Sequence, residues 1–118
     1  MHSVRHSFAV REESGVAVLA ARGDIDYVAT EAFRTAREDA LALRLPLVIE
    51  LSECDFIDST GIACIIRSFQ EATRREQGFA LVGSPKQVGS VLELVGMPRF
   101  VPSFTTLEEA VRHLRGPG

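Results

Sequence analysis

Asp58-Ser59-Thr60-Gly61 joins two hydroxyls, a carboxylate and a glycine between an expected buried approach, Phe56-Ile57, and a strongly amphipathic segment. At such a junction Asp and Ser accept hydrogen bonds from first-turn amides, so the plainest role is a helix N-cap worth about 0.5–2 kcal/mol. Three features point past a cap. Glu53, Asp55 and Asp58 put three carboxylates within six positions. Gly61 falls in the first turn, where a helix built only for stability would gain about 1 kcal/mol from Ala. Its missing side chain predicts room for another molecule to approach Ser59. Finally, Asp24 and Asp26 end a strand, and in a parallel sheet their turn falls at the same edge as Asp58. The expectation is an acidic, serine-bearing surface at the C-terminal edge of the strands, where α/β sheets commonly place their sites.

Other chemistry finds no support in the residues. Ser59 follows Phe56-Ile57-Asp58, so the Gly-x-Ser-x-Gly elbow of a serine hydrolase is missing. Cys54 and Cys64 have no neighbouring His or Lys to activate a thiolate, and two cysteines make neither a disulfide framework nor a four-ligand zinc site. His2 and His6 are four apart, but they lie in a fraying terminus with no third ligand, and His113 is isolated. Gly83-Ser-Pro-Lys-Gln-Val-Gly89 has the wrong spacing for a phosphate loop and reads as a turn into a helix. We therefore expect no enzyme, no metal and no cofactor.

The elements that must position Ser59 follow from periodicity. Residues 7–12 predict an edge strand. Gly15 turns into Val16–Ala21, apolar on both faces and so a buried strand, which Gly23-Asp24-Ile25-Asp26 stops. A helix is expected from Val28 to Arg44, with Ala29, Ala32, Phe33, Ala36, Ala40 and Leu41 inward. Leu47–Leu51 is a second strong strand. From Ser59 to Gln77 a helix presents Ile62, Ile65, Ile66 and Phe69 at i, i+3, i+4 and i+7. Gly78 stops it before a third inner strand, Phe79–Val82. A shorter helix follows over Lys86–Val95, then a short strand at Phe100-Val101 and a terminal helix over Thr106–Arg115. This alternation predicts an α/β fold: a mixed sheet of four or five strands, parallel among its inner members, with helices mainly on one face.

A length of 118 residues suits a single domain with its core over about residues 8–114. Hydrophobic residues at 46% and charged residues at 25% fit a globular chain. A net charge of -3 disfavours nucleic-acid binding, which rests on phosphate neutralisation. The longest wholly apolar run, Val16–Ala21, falls far short of the roughly 20 residues a membrane span needs. MHSVRHSFAV carries no signal-peptide core, so the expected location is the cytoplasm.

Val48-Ile49-Glu50-Leu51-Ser52 followed by Phe56-Ile57-Asp58-Ser59-Thr60-Gly61-Ile62 resembles the signature of STAS domains, specifically the bacterial anti-sigma factor antagonists. Arg22-Gly23-Asp24-Ile25-Asp26 matches the family's first turn, and Ser84-Pro85 with Val88 and Leu92 its later turn and helix. The resemblance runs from Phe8 to Leu114; Glu50 departs from it where the family usually has aspartate. It implies a small single-domain STAS-like fold and a regulator rather than an enzyme. Ser59 would be the phosphoacceptor of an anti-sigma factor that is itself a serine kinase. The unphosphorylated form would bind that kinase and free the sigma factor, and a PP2C-type phosphatase would reset the cycle. Asp58 would position the Ser59 hydroxyl or the kinase, with Asp24, Asp26, Thr60 and Gly61 on the same docking surface. The alternative within the family is a scaffold or interaction subunit of a stress-signalling complex or lipid transporter.

Overall fold

In the computed structural model, which describes residues 5–83 and 85–116, the chain opens with a hairpin of β1 (His6–Glu13) and β2 (Val16–Ile25). Ser14 and Gly15 both have positive φ, 53° and 82°, the geometry that matches the twist of two antiparallel strands. A 3-10 turn (Tyr27–Ala29) leads into α1 (Thr30–Leu41), then β3 (Leu47–Ile57), α2 (Ser59–Arg74), β4 (Phe79–Val82), α3 (Lys86–Leu94), the short α4 (Met97–Phe100), β5 (Ser103–Phe104) and α5 (Leu107–Arg115). The five strands lie in the order β1-β2-β3-β4-β5; β1 pairs antiparallel and the rest pair parallel. This is the expected mixed sheet.

Alternation along the strands splits the core in two. Leu19, Ile25, Leu47, Ile49, Leu51 and Leu81 pack with Phe33 and Leu41 of α1 and Ile65 of α2. Val16, Val18, Val48, Ala80 and Val82 point the other way, against Ala110 and Val111 of α5. Most helical cover therefore lies on one face. A capping box starts α5: Thr106 Oγ1 accepts from Glu109 N, and the Glu109 carboxylate accepts from Thr106 N, both at 3.2 Å.

Several boundaries differ from expectation. β2 does not stop at Ala21, nor β3 at Leu51; each runs on because each supplies the other's ladder. Asp24 pairs with Phe56 and Ile25 with Ile57, beyond irregularities between Ala20 and Arg22 and between Gly23 and Asp24. Val28 belongs to the 3-10 turn rather than to α1, and Phe100 ends α4 rather than starting a strand. α2 ends at Arg74, and the left-handed residue beyond it is Glu76 (φ 58°), not Gly78. Gly78 is instead a close-packing position, where a Cβ would lie 2.9 Å from Leu114 Cδ2.

The inward face of α2 is also rotated from the expected stripe. Ile65 is fully buried, Ile62 and Phe69 are half-buried, and Ile66 is 40% exposed. Gly61, Cys64, Ser68 and Ala72 occupy the rest of the buried face. Small side chains let the helix sit close to the sheet, which turns Ile62 and Ile66 to its flanks while Ile65 stays in the core. Ser68 satisfies its buried hydroxyl by donating to the Cys64 carbonyl at 2.8 Å. His2 and Ser84 lie outside the described residues.

Candidate functional site

The extended β2–β3 ladder brings residues more than thirty positions apart to one edge. Asp24 ends opposite Phe56, and the Asp58 amide donates to the Ile25 carbonyl at 3.4 Å. The turn after β2 and the turn after β3 thus run side by side. Each is capped by its own aspartate. Asp26 Oδ1 accepts from Val28 N at 3.1 Å and starts the 3-10 turn. Asp58 Oδ1 accepts from Thr60 N at 2.9 Å and Gly61 N at 3.0 Å and starts α2.

Asp58 does more than cap. Its Oδ1 also accepts the Thr60 hydroxyl at 2.5 Å. That hydroxyl is the main reason the Asp58 carboxyl lies below the usual carboxylate range, and the Gly61 and Thr60 amides add to it against partial desolvation. The hydroxyl held by Asp58 is therefore that of Thr60, not of Ser59. Ser59, the first residue of α2, is exposed, while Thr60 is half-buried.

Gly61 overturns one expectation. It leaves no room for a visitor to approach Ser59, because it is buried against β2 and β3. A Cβ there would collide with the Ile25 carbonyl oxygen and lie 2.6 Å from Ile57 Cγ1. The glycine lets the start of α2 press onto the two strand ends, which sets the first turn of α2 beside the end of β2. Asp24 is half-buried, and its Oδ2 lies 3.2 Å from Arg5 Nε. Asp55 and Glu53 are exposed near the end of β3, and Asp24, Asp26 and Asp58 fall at the ends of β2 and β3.

Three exposed apolar side chains lie at this edge: Tyr27 (77%) and Val28 (73%) in the 3-10 turn, and Phe56 (50%) near the end of β3. Sequence reasoning placed Val28 in a helix and Phe56 in a buried approach, and passed over Tyr27. Asp26 offered a signal, because an N-cap there starts a turn before Tyr27-Val28 rather than after it. The cysteines are inert by position. Burial pushes the Cys54 thiol up to about 11, and burial also raises that of Cys64.

Known proteins share this fold. The family model for the STAS domain matches residues 7–110. The anti-sigma-F factor antagonist RsfB of Mycobacterium tuberculosis is 30% identical over 108 residues, covering 91% of this chain and 88% of the relative. Among solved structures, an anti-sigma factor antagonist from Mycobacterium paratuberculosis superposes with a TM-score of 0.84 at 27% identity, over 93% of this chain and 94% of the other. The Bacillus cell fate determinant SpoIIAA in its phosphorylated form shares the fold, with a TM-score of 0.68 at 19% identity over 92% of this chain and all of the other. With its parallel β2–β3–β4 core, its antiparallel β1 edge and the Asp58-Ser59-Thr60-Gly61 start of α2, the chain belongs to the STAS domain family.

Proposed function

We propose that this chain is an anti-sigma factor antagonist of the cytoplasm, switched by phosphorylation of Ser59. The observation that carries the reading is an exposed Ser59 at the first position of α2, whose first turn lies against the end of β2. The 30% identity to RsfB, named as an antagonist, supports the partner class. The partner would be an anti-sigma factor acting as a serine kinase, with a PP2C-type phosphatase returning the protein to its binding form.

Physical chemistry makes such a switch one of binding rather than of folding. A phosphoserine adds about -1.5 to -2 charges and three acceptor oxygens. The helix dipole would favour it by roughly 0.3–1 kcal/mol, while Asp24, Asp55 and Asp58 would oppose it by repulsion of similar modest size. At a closed interface the added charge is desolvated and unpaired, which costs about 3–5 kcal/mol. That corresponds to an affinity loss of roughly a hundredfold or more. Asp24, Asp26, Asp58, Thr60 and Gly61 serve as docking or positioning residues; none of them performs chemistry.

Incubation with the anti-sigma factor and ATP, followed by mass mapping of the phosphosite, tests this reading. One phosphate on Ser59, and release of the complex when it is added, is the expected result. Phosphate elsewhere, or an undiminished complex after phosphorylation, overturns it.

A further inference from the structure

Beside Ser59 a groove of about 870 Å³ runs between the 3-10 turn and α1 on one side and α2 on the other. Ala63 and Cys64 of α2 contribute to its lining, and the exposed Tyr27 and Val28 stand at its 3-10 side. Thr60 also lines it, so the groove is continuous with the edge that carries Ser59. Its charge is opposite to that edge. Arg34, Arg37 and Arg67 line it against one carboxylate, Glu31.

The three arginines differ in how far they are satisfied. Arg34 Nη2 is paired with Glu31 at 2.8 Å. Arg67 forms no ion pair among the described residues. Arg37 is 7% exposed; its Nε is ion-paired with Glu38 at 3.7 Å but has no hydrogen-bond partner among the described residues. Three guanidinium groups against one carboxylate leave the groove with excess positive charge, which an entering carboxylate would offset by charge-assisted hydrogen bonds.

We infer that this groove docks an acidic, apolar segment of the anti-sigma factor, with its carboxylates at Arg37 and Arg67 and an apolar side chain against Tyr27, Val28 and Ala63. The inference rests on the antagonist reading and deepens it. The site becomes bipolar: an acidic edge at Asp24, Asp26 and Asp58 beside a basic groove at Arg34, Arg37 and Arg67. Only a partner with basic groups facing Ser59 and acidic groups beside them fits both. Such complementarity fixes register and rejects wrong partners more than it adds raw affinity.

The test uses the full chain and the kinase domain of the anti-sigma factor, with calorimetry for affinity and hydrogen exchange for the footprint. Arg67→Glu and Val28→Glu change exposed groove residues, and Leu94→Glu, at an exposed position on α3, serves as the control. Arg67→Glu and Val28→Glu should each weaken binding by about tenfold or more, Arg67→Lys and Leu94→Glu by less than about threefold. Exchange should slow over residues 27–37 and 60–67 in the wild-type complex. If wild type binds and is phosphorylated on Ser59, but both groove variants bind like it and protection stops at the acidic edge, the groove inference is wrong and the antagonist reading stands. If wild type neither binds nor is phosphorylated, the antagonist reading fails and the groove inference falls with it.

Discussion

Gly61 sits so close to Ile25 that a side chain at position 61 would occupy the space of the Ile25 carbonyl oxygen. That contact joins the start of α2 to the end of β2, and it is why Ser59 and Asp24 share an edge. Gly61→Ala should gain helix propensity yet lose stability, because backbone cannot yield as a flexible side chain can. Overpacking of this kind costs roughly 1–3 kcal/mol. A lowered thermal midpoint, with partner binding weakened in the material that remains folded, is the expected outcome; an unchanged midpoint would show that α2 can lift off β2 freely.

Ile65 and Ile66 offer a second test, since adjacent residues of one type differ by burial alone. Ile65 is fully buried and should cost about 2–5 kcal/mol on truncation to Ala. Ile66 is 40% exposed and should cost about 1 kcal/mol, scaled from the same transfer energies. Denaturant midpoints of the two variants decide it, and equal losses would contradict the observed rotation of α2.

The contrast between those two isoleucines also marks where sequence stops being informative. Strand and helix order, the parallel inner strands and the shared edge of Asp24, Asp26 and Asp58 were legible because alternation and periodicity depend on local spacing. The face of α2 is not legible from spacing because hydrophobic size does not set depth there: close packing on the sheet selects Gly61, Cys64, Ser68 and Ala72. Gly61 was assigned to ligand access for a related reason: its neighbours, Ile25 and Ile57, are set by strand pairing. The arginine groove left no local signal at all. Arg34, Arg37 and Arg67 come from two helices whose packing angle no spacing rule supplies.

Asp58 makes the stability of α2 depend on acidity. Its carboxyl is held below the usual range in the folded protein, so its contribution is complete above the unfolded value of about 3.9 and fades as pH falls through the lower folded value. Asp58→Ala should lose about 0.5–2 kcal/mol near neutral pH. In thermal melts, wild type and variant should converge as the medium is acidified. A constant gap down to strongly acidic pH would mean that Asp58 is not the charged cap.

The two thiols should be silent in the native state. With Cys54 near 11, its thiolate fraction at mildly alkaline pH is about a hundredfold below that of a free cysteine, and burial adds a barrier of access. Alkylation should modify neither Cys54 nor Cys64 in minutes, and both in denaturant. Rapid native labelling of Cys64 would reveal opening of the groove that it lines.

Ser59 itself gives the sharpest contrast. Ser59→Ala removes an exposed hydroxyl and adds neither charge nor bulk, so it should bind the anti-sigma factor like wild type and accept no phosphate. Ser59→Asp places one permanent charge beside Asp24, Asp55 and Asp58 and should bind more weakly. Its loss should be smaller than that of phosphoserine, which carries about -1.5 to -2 charges and more acceptors. Neither change touches the cap, whose acceptor is Asp58 Oδ1 and whose donors are Thr60 and Gly61. Both variants should therefore melt within about 1 kcal/mol of wild type, since surface substitutions away from buried contacts rarely shift stability further. Calorimetric titration with thermal melts as the folding control separates the two roles. If Ser59→Asp binds as tightly as Ser59→Ala while both are folded, the hydroxyl is only the first residue of a helix and no switch resides there.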